Sequence, residues 1–249
     1  MTALVRAELL KLRTIRATWA LVAVSLGIAL VLLGLQLRNA GLAETASLGT
    51  TASTRAILVA PGSAALVILV LGVLVATGEL RHRTIGATFL VTPARGRVLL
   101  AKLLTAGLAG LGLSALGLLV TLVIAVPWLA ANGVTADVVN RELILVALVT
   151  LAAGPLYAML GLALGALVRN QTVAVVLGLL WFLVGEGLIG AMGLRWLMPW
   201  LPGGASRALA RDITLPGLLP AWAGGLLLLT YVAALAVPAW WLLQRADVE

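Results

Sequence analysis

The sequence predicts an all-α polytopic membrane protein with about six transmembrane helices. Its 249 residues are 62% hydrophobic and only 10% charged, and the mean hydropathy is +1.15. Apolar stretches of about 20 residues recur along the chain, each long enough to cross roughly 30 Å of hydrocarbon as a helix. A soluble domain of this length would need far more polar surface. We therefore expect one transmembrane domain over residues 1–249.

Six apolar stretches qualify as spans, separated by charged or proline-containing segments. They run over Ala17–Leu37, Ile57–Thr77, Leu99–Val126, Leu143–Val168, Thr172–Gly193 and Ala221–Leu243. The remaining segments are an N-terminal helix within 1–16, a connection over 79–98, and a mixed connection over 195–220 that is expected on the outer side. In that last connection Ala205–Arg211 is either a brief helix or part of an interfacial linker.

The lysine and arginine residues indicate the orientation of the spans. Eleven of the 17 flank the side that carries the N-terminus, and six flank the other side. Cytoplasmic loops carry the excess of such residues, so we expect both termini in the cytoplasm. The net charge of +8 is then a topology signal and a set of headgroup anchors, so no nucleic-acid partner is expected.

The N-terminal segment Leu4–Arg16 is rich in good helix formers and contains neither Gly nor Pro. On a helix, Arg6 and Arg13 share one side, whereas Glu8 and Lys11 lie on another. One interpretation is an interfacial helix whose basic side chains reach the headgroups. The other is ordinary flanking charge at the start of the first span.

A polar island follows the second span and contains five of the 17 basic residues and the only His. We define the island as residues 78–102. Glu79 and Arg83 have the i,i+4 spacing of a helical ion pair. The apolar stretch that begins at Thr84 is too short to cross the membrane, and Pro93 ends it. The island is either a solvated loop or a short surface helix on which a cytoplasmic partner docks.

The island and the N-terminal segment resemble the permease subunits of type-2 ABC exporters. The resemblance rests on Gly78-Glu-Leu-Arg-His-Arg-Thr84 with Thr92-Pro-Ala-Arg-Gly-Arg97 and Lys102, and on Ala7-Glu-Leu-Leu-Lys-Leu-Arg13. It implies an N-terminal elbow helix and a cytoplasmic coupling helix between the second and third spans. The coupling residues it implies are Glu79, Arg81, Arg83, Thr84, Pro93, Arg95 and Arg97.

The resemblance also implies the partners. Two separate ATP-binding cassette subunits would carry ATP and Mg, and a second permease copy, identical or related, would complete a dimer in a bacterial plasma membrane. This chain has no phosphate-loop motif and no Cys, so it is expected to bind no cofactor and to be no enzyme itself. His82 alone cannot form a metal site, and we assign no catalytic residue.

Glu186 is the only acidic residue inside a predicted span. An ionisable group in hydrocarbon is costly and usually faces a protein interior or a polar cavity. One interpretation places Glu186 on the transport pathway. In the other, the fifth span ends early among Gly185, Gly187 and Gly190, and Glu186 lies in an outer re-entrant turn.

The function expected from these features is outward transport of a hydrophobic or amphiphilic compound, such as a drug, antibiotic or lipid-like molecule. Two alternatives remain open: a secondary transporter, or a non-transporting anchor or assembly subunit. A secondary transporter would use ionisable relays inside the spans, and Glu186 is the only acidic candidate.

Overall fold

The structure is a computed structural model that describes residues 1–42, 65–81, 86, 94–133, 136–210 and 217–245. Within these ranges the side chains of residues 40–42, 136–143 and 146 are not described. All regular secondary structure of the described residues is helical. This agrees with the all-α class predicted from the sequence.

Nine α-helices and two short irregular helices make up the described part of the chain. They are α1 (Thr2–Thr14), α2 (Arg16–Leu42), α3 (Ala65–Arg81), α4 (Arg95–Ala131), α5 (Ala136–Val168), α6 (Gln171–Leu180), a π-helical turn (Trp181–Gly185), α7 (Glu186–Ala191), a 3₁₀ segment (Arg195–Trp200), α8 (Pro202–Leu209) and α9 (Ala221–Arg245).

Five helices are long and apolar enough to cross a membrane, as expected of a multi-pass membrane protein. They cover Arg16–Asn39, Arg95–Ala131, Ala147–Val168, Gln171–Ala191 and Ala221–Arg245, and each overlaps a span predicted from the sequence. The predicted second span corresponds to α3, of which 17 residues are described. Its first part, 57–64, lies outside the described residues, so the count of six spans stays a prediction.

Helix α5 is the centre of the bundle and packs against α3, α4 and α9. The approach is close because glycines replace side chains at the contacts. A Cβ atom added at Gly161 would lie 1.9 Å from the Leu69 carbonyl oxygen, and one at Gly72 would lie 2.0 Å from the Ala158 carbonyl oxygen. Small residues allow this approach in membranes, where packing replaces the hydrophobic drive between helices. The Gly161-x-x-x-Gly165 spacing therefore serves packing within the chain.

Replacement of Gly161 by Ala tests this packing. We expect Gly161→Ala to destabilise the protein by about 1–3 kcal/mol or more, because the new methyl group meets a backbone oxygen that cannot move alone. The matched control is Gly112→Ala in α4, where an added Cβ meets nothing within 4 Å. Thermal unfolding in detergent, followed by tryptophan fluorescence, should separate the two variants. Equal midpoints would contradict the close α3–α5 contact.

Candidate functional site

Four charged side chains from three helices form a closed arrangement that we call the ion-pair ring: Glu8, Lys11, Glu79 and Lys102. The Lys11 Nζ lies 2.6 Å from Glu8 Oε1 and also bonds Glu79 Oε1. The Lys102 Nζ lies 2.8 Å from Glu8 Oε2 and 3.1 Å from Glu79 Oε2. Each carboxylate thus bridges both ammonium groups, and each ammonium group bridges both carboxylates.

The local helices explain why these side chains meet. Glu8 and Lys11 are three residues apart on α1 and therefore share one face, and this face packs on α4. Glu79 is in the last turn of α3, and Lys102 is in the third turn of α4. Arg6 and Arg13 are exposed on other sides of α1, as the sequence predicted for the two pairs of charges.

Most of the ion-pair ring is buried. Glu8, Glu79 and Lys102 are 7%, 9% and 5% exposed, whereas the Lys11 side chain is 43% exposed. Buried charges are tolerated when they are paired and hydrogen bonded, and removing one partner leaves an uncompensated charge. The ring therefore makes the relative positions of α1, α3 and α4 depend on one another.

The ion pairs shift the pKa values of two residues of the ring, Glu79 and Lys11. Burial alone would raise the pKa of Glu79, but the positive charges of Lys102 and Lys11 outweigh it and hold that pKa below the ordinary value of 4.5. Burial alone would lower the pKa of Lys11, but the bonds to Glu79 and Glu8 raise it above 10.5.

The two shifts stabilise the fold over a defined pH range. The contribution of Glu79 is fully present above pH 4.5 and is lost as the pH falls through its lower folded-state pKa. The contribution of Lys11 is fully present below pH 10.5 and is lost as the pH rises through its higher folded-state pKa. Both groups are therefore charged throughout the neutral range.

The predicted coupling residues occupy different environments. Arg81 is exposed, and its Nη1 donates to Gln171 Oε1 at 3.4 Å. Arg97 is exposed in the first turn of α4. Arg95 is half-buried, and its Nη1 donates at 2.7 Å to the Leu243 carbonyl in the last turn of α9, where a cation also complements the helix dipole.

Three of the predicted coupling residues, Arg83, Thr84 and Pro93, lie outside the described residues. The predicted Glu79–Arg83 pair therefore stays a prediction, but Glu79 is now seen to pair with lysines on two other helices. Its position ties the beginning of the island to α1 and α4.

Glu186 is buried, 6% exposed, in the C-terminal part of the fifth predicted span. The helix does not stop before it, because the π-helical turn Trp181–Gly185 leads directly into α7. Its Oε1 accepts the Gly203 backbone N–H at 2.6 Å. Gly203 is the second residue of α8, so the carboxylate satisfies one of the amides that a helix leaves unpaired at its start and complements the dipole there.

The predicted brief helix in the outer connection is present, but it begins earlier than expected. Instead of Ala205–Arg211, α8 covers Pro202–Leu209, because Pro202 suits the first turn of a helix. Gly203 and Gly204 lie inside α8. A side chain at position 203 would collide with Glu186, and one at position 204 would collide with the Met198 backbone. Residues 211–216 lie outside the described residues.

Sequence reasoning missed the ion-pair ring as a unit. A signal for it exists: Lys102 lies inside the predicted third span, where an ionisable residue requires a partner. Glu8 and Lys11 share a helix face opposite the exposed arginines. What the sequence lacks is any indication that the two segments meet Glu79.

The interactions within the ion-pair ring are electrostatic. The ring neutralises its own charges, and the described residues contain no group of three or more His, Cys, Asp or Glu side chains that could hold a metal ion. No family model matches this sequence, and no curated protein matches it. Its function is therefore inferred from the residues and their geometry.

Replacement of Lys102 by Met tests the ring. We expect Lys102→Met to lower the free energy of unfolding by about 3–5 kcal/mol, because Glu8 and Glu79 would share only Lys11. The matched control is Arg97→Met, which removes an exposed cation from the same helix and should change stability by about 0.5 kcal/mol or less.

A fourfold charge inversion, E8K/K11E/E79K/K102E, restores the alternation of charges and should be more stable than Lys102→Met. Denaturant titration in detergent measures all three variants. A Lys102→Met protein as stable as Arg97→Met would contradict the energetic role of the ring.

Glu186 gives a second test, away from the ion-pair ring. We expect Glu186→Ala to destabilise the protein by about 1–3 kcal/mol, because the buried Gly203 amide loses its acceptor. Glu186→Gln retains a side-chain oxygen for that amide and should lose less. Thermal unfolding in detergent compares them, and equal losses would show that the hydrogen bond to α8 contributes little.

Proposed function

We propose that this chain is the membrane-spanning permease subunit of an ABC exporter, powered by two separate ATP-binding cassette subunits that bind ATP and Mg. A second permease copy completes the translocation unit in a bacterial plasma membrane. Both termini and the polar island face the cytoplasm. The transported compound is hydrophobic or amphiphilic and moves outward.

The observation that carries this proposal is the ion-pair ring. It joins the end of α3 to the beginning of α4, the two helices that flank residues 82–93, and it adds α1 to the same unit. A segment that receives force from a partner must be attached firmly to the helices it moves. Because the ring includes side chains of both flanking helices, it is suited to transmit a displacement of the island to the helix bundle.

The charge of the island supports an acidic partner. Arg81 and Arg97 are exposed on either side of 82–93, and that stretch contains basic residues but no carboxylate. Complementary charge on an ATP-binding subunit would speed association and fix its orientation. Arg95 extends the connection to α9 through its bond to Leu243.

A cavity next to the ion-pair ring supports an amphiphilic substrate. Its volume is about 610 Å³, within the range of roughly 300–1,000 Å³ that is usual for small-molecule sites. The ion-pair ring lines its charged end, and its apolar wall is formed by Leu12, Ile15, Leu74 and Val75. A molecule with a polar head and an apolar body matches both parts.

Charge reversal on the island tests the coupling. We expect the double variant R83E/R97E to lose most of its association with the ATP-binding subunit, because each reversal replaces attraction to an acidic groove by repulsion. The matched control is R6E/R13E, which reverses two exposed cations on α1. Co-purification and substrate-stimulated ATP hydrolysis are measured on membranes that contain equal amounts of each permease.

Reversal at two sites is needed because one exposed ion pair contributes only about 0–1 kcal/mol. Wild-type association and ATP hydrolysis in R83E/R97E would contradict docking through the island. An equal loss in R6E/R13E would show a general dependence on cytoplasmic charge.

A further inference from the structure

We propose that the connection between α5 and α6 forms a binding site for the phosphate group of an anionic lipid. The site is a cavity of about 340 Å³ lined by Arg81, Arg169 and the polar residues 170–172. It is separate from the ion-pair ring, and its position in the cytoplasmic leaflet rests on the orientation in the proposed function.

Arg169 lines the cavity and carries the recognition group. Its Nε and Nη2 are buried and have no hydrogen-bond partner among the described residues. These two nitrogens form one edge of the guanidinium group, the edge that binds two oxygens of a phosphate or carboxylate side by side. A buried donor without a partner costs free energy, and an oxyanion would satisfy both N–H groups at once.

The backbone at Arg169 supports a role for this side chain. Its φ is +58°, in the left-handed region that glycine or asparagine usually occupies and that strains the backbone of other residues. The turn between α5 and α6 would form more readily with glycine. An arginine at this strained position provides a cation that glycine would not.

The rest of the cavity is also suited to an anion. Arg81 adds a second cation and is positioned by its bond to Gln171. Gln171 and Thr172 are the first residues of α6, where helix amides have no intrahelical acceptor and the dipole favours negative charge. None of the residues lining the cavity is acidic, and the nearby carboxylates Glu8 and Glu79 are bonded to lysines.

The depth of the site favours a lipid over a soluble partner. Arg169 and Asn170 separate two membrane-spanning segments, one that ends at Val168 and one that begins at Gln171. The cavity therefore lies at the boundary of the hydrocarbon, where lipid phosphates are found and where basic pockets bind anionic headgroups.

Lipid titration of the purified permease, without any ATP-binding subunit, tests the site. The probes are phosphatidylglycerol, a galactosyl diacylglycerol with the same acyl chains and no phosphate, and inorganic phosphate at matched ionic strength. We expect phosphatidylglycerol alone to raise the thermal midpoint of the wild-type protein. Stabilisation by inorganic phosphate to the same extent would assign the site to a soluble phosphate and overturn the lipid proposal.

Three variants identify the residue responsible. Arg169→Asn suits the left-handed backbone and should weaken the phosphatidylglycerol response roughly tenfold or more. Arg169→Lys retains the charge but lacks the two parallel N–H groups, so its response should lie between those of the wild type and Arg169→Asn. The control Arg16→Asn removes an exposed cation at the start of α2 and should respond as the wild type does. Equal responses in Arg169→Asn and Arg16→Asn, or equal effects of the two lipids, would overturn the proposal.

The same variants separate this site from partner docking. If Arg169→Asn lost association with the ATP-binding subunit but kept the wild-type lipid response, the guanidinium edge would bind the partner instead, and the lipid proposal would be wrong. Because the lipid titration uses the permease alone, its result does not depend on whether the chain is an exporter subunit.

Discussion

The ion-pair ring is the constraint on which the packing of α1, α3 and α4 depends. Two carboxylates and two ammonium groups from three helices satisfy each other, so the helices cannot shift separately without leaving a buried charge unpaired. An apolar contact would permit sliding at little cost. The ring instead fixes the two ends of the polar island relative to α1.

The centre of the bundle is fixed by a different kind of contact. Along α5, glycines meet the backbones of α3 and α4, and close packing takes the place of the hydrophobic drive that is absent between helices in lipid. Helices α3 and α4 therefore contact α5 directly through their backbones. Paired charges hold the helices together at the ion-pair ring, and close packing holds them together along α5.

A second buried carboxylate, Glu186, takes a different kind of partner. Glu186 holds the start of α8 through the Gly203 amide, and α8 packs on α9. Tyr231 on α9 donates to the Trp200 carbonyl at 2.8 Å. Hydrogen bonds thus attach α8 to the helix that carries Glu186 and attach the 3₁₀ segment to α9.

The sequence by itself determined the helical class, the approximate bounds of the spans, and the two charged faces of α1, because hydrophobic length and helical periodicity are local properties. It also singled out Glu186 as the only acidic residue inside a predicted span, but it left open whether that residue is buried. Only the tertiary structure decided which partners these groups take: Lys102 with Glu8, and Glu186 with Gly203. Such pairings join residues that are distant in the chain, and their geometry depends on how whole helices pack, which no local pattern records.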